Sequence, residues 1–187
     1  MVDHSHPSER ETFISVDIEA DGPVPGDYSM ISFGACVVGS DDPRDEFYLE
    51  IRHMTENYVP EALAVSGFDR AYLRNCEQPD TATEKIAGWL DEMQADHSGR
   101  LVMVGFNASF DWSFVNYYLH HFVGRNPLGI SALDIKALYM GKSGCNWAST
   151  SMSKLPKHVR PATDLTHNAL QDARDQATIF QNILSSN

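Results

Sequence analysis

Basic residues are scarce in this sequence: 14 Lys and Arg stand against 26 Asp and Glu, a formal net charge of −12. A broad electrostatic grip on long duplex nucleic acid draws its affinity from Lys and Arg on phosphates, and this deficit argues against it. Long apolar runs are also missing. Leu101–Val104, and Ile31–Val38 with Ser32 and Gly34 inside it, fall far below the roughly 20 residues of a membrane helix, so no membrane partner is expected. Residues 1–11 are polar and lack the apolar segment of a secretory signal; they are read as a flexible tail on a cytoplasmic protein. The three cysteines, Cys36, Cys76 and Cys145, are widely spaced with no CxxC pair, which indicates neither a disulfide framework nor a zinc site.

What is present is an ordinary globular composition, with 42% hydrophobic residues in 187, enough for one core and too little for two comfortable ones. A single domain over residues 12–187 is expected. Thr12–Ile18 alternates as a strand, the Asp21-Gly22-Pro23 and Pro25-Gly26-Asp27 clusters mark a turn, and Ser29–Val38 reads as its antiparallel partner. Glu46–Ile51 places Phe47, Leu49 and Ile51 on one face as a third strand. Thr81-Ala82-Thr83-Glu84 matches a capping box opening a helix with Ile86, Trp89, Leu90 and Met93.

Leu101–Val104 reads as a strand buried on both faces, with a helix following from Ser109 to Phe122. Ser131–Met140 fits either period, and Gly141–Leu155, rich in Gly, Ser and Thr, reads as a mobile loop. Asn168–Leu184 is helical, with Ala169, Ala173 and Ala177 small enough for close packing on a sheet. Strands first, then strands interleaved with helices, predict an α/β fold with a mixed sheet flanked by helices.

Asp17 and Glu19 sit two apart at the end of the first strand, so both carboxylates project from one face. Asp111 falls in the first turn of a helix, where the dipole alone would favour an acid. His167 and Asp172 are five apart, about 140° around a helix, and converge only if His167 precedes the helix, with Thr166 or Asn168 as the cap. Each of these signals has an ordinary explanation when taken singly. Asn107 fits a turn and Phe110 a buried ring as well as either fits a substrate contact. Trp112, Tyr117 and Tyr118 could stack on bases, but their helical spacing favours core packing.

In combination they mean more. An Asp-x-Glu on the first strand, an Asp in Gly-Phe-Asn-x-x-Phe-Asp, and a His-x₄-Asp opening the last helix, in that order from Phe13 to Leu184, resemble the DEDDh 3′-5′ exonucleases. That superfamily includes the proofreading subunit of bacterial replicases, oligoribonuclease and RNase T. The resemblance implies a ribonuclease H-like mixed sheet of about five strands, the first three antiparallel. It implies two divalent ions, Mg2+ or Mn2+, on Asp17, Glu19, Asp111 and Asp172, with His167 as general base. It also implies single-stranded or short nucleic-acid 3′ ends as partners, contacts to the terminal nucleotide from Ala20, Asn107 and Phe110, and, as in several relatives, a homodimer as one assembly to test.

The chain departs from the family pattern twice: Ala20-Asp21-Gly22 stands where Thr-Thr-Gly is common, and Phe106 where His is frequent. The first departure touches end recognition and leaves the metal ligands intact. Acidity tilts the expectation slightly towards RNA. The alternatives are a DNA exonuclease of proofreading or repair type, and a catalytically inactive module that binds nucleic-acid ends or a protein partner; the presence of all five site residues counts against inactivity.

Overall fold

The computed structural model describes residues 11–97, 99–161 and 167–186. The expected tail therefore lies outside the described residues, except for Glu11, which already belongs to the first strand. The strands are β1 (Glu11–Ala20), β2 (Met30–Val37), β3 (Glu46–Glu50), β4 (Arg100–Gly105) and β5 (Ala132–Asp134). They form one mixed sheet in the order β3-β2-β1-β4-β5, with the first three antiparallel and β4 and β5 parallel to β1. This is the ribonuclease H-like arrangement. The helices are α1 (Pro60–Ser66), α2 (Arg70–Leu73), α3 (Pro79–Asp96), α4 (Ala108–Tyr118), α5 (Ile135–Ser143) and α6 (Ala169–Ser185). No helix among the described residues is long and apolar enough to cross a membrane.

The central strand sorts its residues between two layers. Ile14, Val16 and Ile18 point into a core completed by α3, α4 and the Leu119–Val123 turn. The intervening positions face α6: Phe13 packs edge-on against Phe180, with ring centroids 5.0 Å apart, and the Ser15 hydroxyl donates to the Ala173 carbonyl at 2.7 Å. Period-two alternation thus reserves one face of β1 for bulk hydrophobic packing and the other for α6 and the acids.

Four segments refine or depart from expectation. α3 begins at Pro79, two residues before Thr81, because a proline in the first turn already has helical φ and needs no amide donor; Thr81 and Glu84 lie inside the helix, so the capping box does not form. The helix after β4 starts at Ala108, ends as an α-helix at Tyr118, and runs on as a π-helical turn, Leu119–Val123, closed by Gly124 at φ 77°. Ser131–Met140 resolves into β5 followed by α5, capped by Asp134 accepting from the Ala137 amide at 2.7 Å. The expected 141–155 loop instead completes α5 and makes two short 3-10 turns, Trp147–Ser149 and Met152–Lys154.

α6 lies unusually close to the sheet. Gly34, the register partner of Asp17 on β2, has no room for a side chain: a methyl group there would meet the backbone of Ala169 and Leu170 at 2.2 Å. Ala169 and Ala173 are fully buried and Ala177 nearly so, which keeps the helix flat against the strands. Gly34→Ala is expected to destabilise the protein by about 1–3 kcal/mol through overpacking and to lower activity with it. Gly141→Ala, in open space within α5, should be neutral or stabilising by up to about 1 kcal/mol. Thermal and urea melts of the two variants check the contrast.

Candidate active site

Acids from three elements meet where β1 ends. Asp17 and Glu19 project from its last turns of pleat, opposite Gly34 and Ser32, just before a register shift between Glu19 and Ala20. Beyond the last β1–β4 register pair, Ser15 with Val104, the β1 backbone has no strand on that side. Asp111, in the first turn of α4, takes that place: its Oδ1 accepts the Ile18 amide at 3.0 Å. This bond fixes a buried carboxylate beside the Asp-x-Glu pair.

The turn delivering Asp111 is built by Asn107, at φ 73°, a left-handed conformation that Asn tolerates better than most residues. Asn107 does not cap α4 with its own side chain; Asp134 does so from β5, accepting the Ala108 amide at 2.8 Å. Asp172 enters from the first turn of α6, whose cap is Asn168, accepting from the Gln171 amide at 3.1 Å. Thr166, the other cap considered, lies outside the described residues. His167 precedes the helix with φ 54° and is exposed, so it escapes the helical geometry that would have turned it away. One ligand atom each from Glu19, His167 and Asp172 lie within 4.8 Å of one another.

These five residues line a single cleft of about 210 Å³, together with Phe106, Asn107, Phe110, Met152 and Gln176. Phe110 is 38% exposed, so the buried-ring alternative fails and the ring faces the cleft. Ala20 is buried and does not line it. Asp21, next to it in the same departure from the family pattern, is fully buried and turned to structural use: it accepts from the Ser29 amide at 2.6 Å and from Arg70 at 2.8 Å. Tyr118 is core, its hydroxyl accepting the Met30 amide at 2.9 Å, and Trp112 and Tyr117 pack against the same core. A larger cavity, about 470 Å³, lies by Arg52, His53 and His121 and gathers no comparable set of acids.

Gln176 was not apparent from the sequence. It bridges three elements from α6, its Nε2 donating to Asp17 Oδ1 at 2.6 Å and its Oε1 accepting the Phe106 amide at 2.8 Å. Its spacing of four from Asp172 on one helix face was the available signal. Asp134 was missed as well, since its contact with α4 depends on β5 lying beside β4.

The electrostatics of this cluster are unfavourable in the bare protein. Burial pushes the Asp17 carboxyl well above its ordinary range, and the Asp111, Glu19 and Asp172 charges push it further, against the Gln176 hydrogen bond. Burial, then Asp172 and Asp111, raise Glu19 to about 7. Burial raises Asp111 to about 7 despite the Ile18 amide. Buried like charges of this kind call for a cation, and hard carboxylate oxygens suit Mg2+ or Mn2+. The residues fit divalent metal.

The chain matches the RNase T exonuclease family over residues 14–180. It is 42% identical over 175 residues to the 3′-5′ DNA exonuclease Cap18 of Escherichia coli, covering 93% of this chain and 92% of that protein. Among solved structures it resembles the nuclease domain of 3′hExo, a DEDDh family member, bound to rAMP, with a TM-score of 0.70 at 12% identity over 93% of this chain and 90% of that one. It also resembles E. coli Exonuclease I in complex with a dA16 oligonucleotide, with a TM-score of 0.65 at 14% identity over 95% of this chain and 41% of that one.

Glu19 and Asp111 hold their protons to about pH 7 when folded, and release them near pH 4 when unfolded. Their contribution to stability is therefore present at acid pH and lost as pH rises through about 7. In EDTA the melting temperature should fall between pH 5.5 and 8 by several degrees, at roughly 2–4 °C per kcal/mol. Glu19→Gln and Asp17→Asn should shrink that fall, and Mn2+ should reverse it in the wild type only. Scanning calorimetry across pH reads all three.

Proposed function

Because the chain belongs to the RNase T exonuclease family, within the DEDDh superfamily of 3′-5′ exonucleases, we propose that it removes nucleotides singly from the 3′ end of single-stranded DNA. The observation that carries this reading is the convergence of Asp17, Glu19, Asp111, Asp172 and His167 on one cleft. The tilt towards DNA comes from the name of the E. coli relative, which spans nearly the whole chain at 42% identity and outweighs the tilt towards RNA drawn from acidity. The net charge of −12 still favours short or single-stranded ends over long duplex.

Asp17, Glu19, Asp111 and Asp172 would hold two divalent cations, which when bound supply Lewis acidity and the positive charge that an anionic phosphodiester requires. The protein's own groups do the rest. Gln176 keeps Asp17 Oδ1 in place through its 2.6 Å hydrogen bond, and the Ile18 amide does the same for Asp111. His167, exposed at the mouth of the cleft and close to Glu19 and Asp172, accepts the proton of the attacking water. The water oxygen bonds to phosphorus as the bond to the 3′-oxygen of the penultimate nucleotide breaks. A nucleoside 5′-monophosphate leaves, and the departing 3′-oxygen takes a proton from solvent, so the shortened strand ends in a 3′-hydroxyl. Phe110, half-exposed in the cleft wall, offers a ring face to the terminal base.

The test is a time course on 5′-labelled single-stranded DNA and RNA of one sequence with Mg2+, Mn2+ or EDTA. A ladder shortening from the 3′ end, dependent on metal and faster on DNA, is expected. His167→Ala should lower turnover by about 10²–10⁴-fold while Mn2+ binding, followed calorimetrically, is retained; Asp17→Ala should lose both. Faster shortening of RNA would reverse the substrate assignment, and wild-type activity in either variant would overturn the roles.

A further inference from the structure

Among the described residues, six Lys and Arg side chains of this acidic chain are spent on carboxylates and the others are not. Arg44, Arg70, Lys85, Arg100, Arg125 and Arg174 each form an ion pair. Lys136 does not. Among the described residues its ammonium forms one hydrogen bond, a long one of 3.4 Å to Asn107 Oδ1, and no ion pair. It is instead held between two rings, 4.4 Å from the Trp147 centroid and 6.0 Å from that of Phe106. Such cation–π contacts fix a charge in place without neutralising it.

The position of this trio matters. Phe106 and Asn107 form part of the wall of the acid-lined cleft, and so does Met152, in the turn following the one that carries Trp147. Lys136 thus adjoins that wall through Asn107 and Phe106, with Trp147 beside it. Trp147 is 50% exposed, whereas Trp89 is buried and Trp112 half-buried. An exposed indole beside an uncompensated ammonium matches the two features a nucleic-acid strand repeats, a base with a π-face and a phosphate.

We propose that Lys136 and Trp147 form a subsite for the strand upstream of the scissile phosphate. Lys136 binds a backbone phosphate, exchanging its weak contact with the Asn107 amide for a charge-assisted one, and Trp147 stacks on the adjacent base. This rests on the exonuclease reading above and adds how the enzyme holds an oligonucleotide while only one nucleotide occupies the cleft. It also accounts for how so acidic a chain retains a polyanion, through one cation placed beside the site.

The experiment has two arms. Binding of a fluorescent single-stranded DNA dodecamer in EDTA, read by anisotropy, requires no turnover. Lys136→Ala and Trp147→Ala should each weaken it about 10-fold, and Lys136→Ala should make the salt dependence of log Kd shallower by about 0.7. Lys136→Arg and Trp147→Phe should restore most of the affinity. In the second arm, thymidine 5′-monophosphate p-nitrophenyl ester, which has no upstream strand, is compared with the dodecamer under Mn2+. The rise in KM in the alanine variants should be about 10-fold larger for the dodecamer than for the ester. Equal effects on both substrates, or wild-type affinity in both alanine variants, overturn the subsite. A wild type that hydrolyses neither substrate overturns the exonuclease reading, while the binding arm still decides for or against the subsite.

Discussion

The site depends on the close approach of α6 to the sheet at Gly34. The backbone of Ala169 and Leu170 lies where any side chain on that residue would stand, and Gly34 is the register partner of Asp17. The contact therefore sets the height of the last helix above the very strand that bears two of the acids. The bond from Ser15 to the Ala173 carbonyl and the bond from Gln176 to Asp17 fasten the same interface further along. Asp172, one turn into α6, has its position over β1 determined by these contacts and by the Asn168 cap.

Holding four carboxylates together works against the fold. Asp17, Glu19 and Asp111 are all raised by burial, and Asp17 and Glu19 also by neighbouring charges, so each costs stability when ionised. The surrounding structure offsets part of that cost with fixed hydrogen bonds, the Ile18 amide to Asp111 and the Gln176 amide to Asp17, while the Asp134 charge beside Asp111 adds to it. What is left over is negative potential aimed into one cleft, which suits binding a divalent ion followed by a phosphate.

The elements with strong periodicity were legible beforehand. The alternation of β1, the buried run of β4 and the apolar stripe of α6 each follow from one local rule, and so did the single face shared by Asp17 and Glu19. Boundaries set by competing local signals were less so. Pro79 overrode the Thr81 capping pattern, and the Gly- and Ser-rich stretch after Gly141 folded into turns because Leu155 and Met152 pack against the α5–α6 layer. Asp21 could not be assigned from its place in a motif. Its burial against Arg70 depends on α2, which is far from it in sequence.

The sequence by itself determined which residues could do the chemistry: carboxylates at fixed places on a strand and two helix starts, and an imidazole just outside a helix. These are properties of short segments, governed by strand period, helix dipole and capping. Only the tertiary structure decided which groups support them and which line the approach. Gln176 on Asp17, Asp134 on α4, Phe110 turned outward, and Lys136 between Phe106 and Trp147 all join residues from elements that are separate along the chain. Such contacts are fixed by how layers stack and by what space Gly34 leaves open, and no local periodicity encodes them.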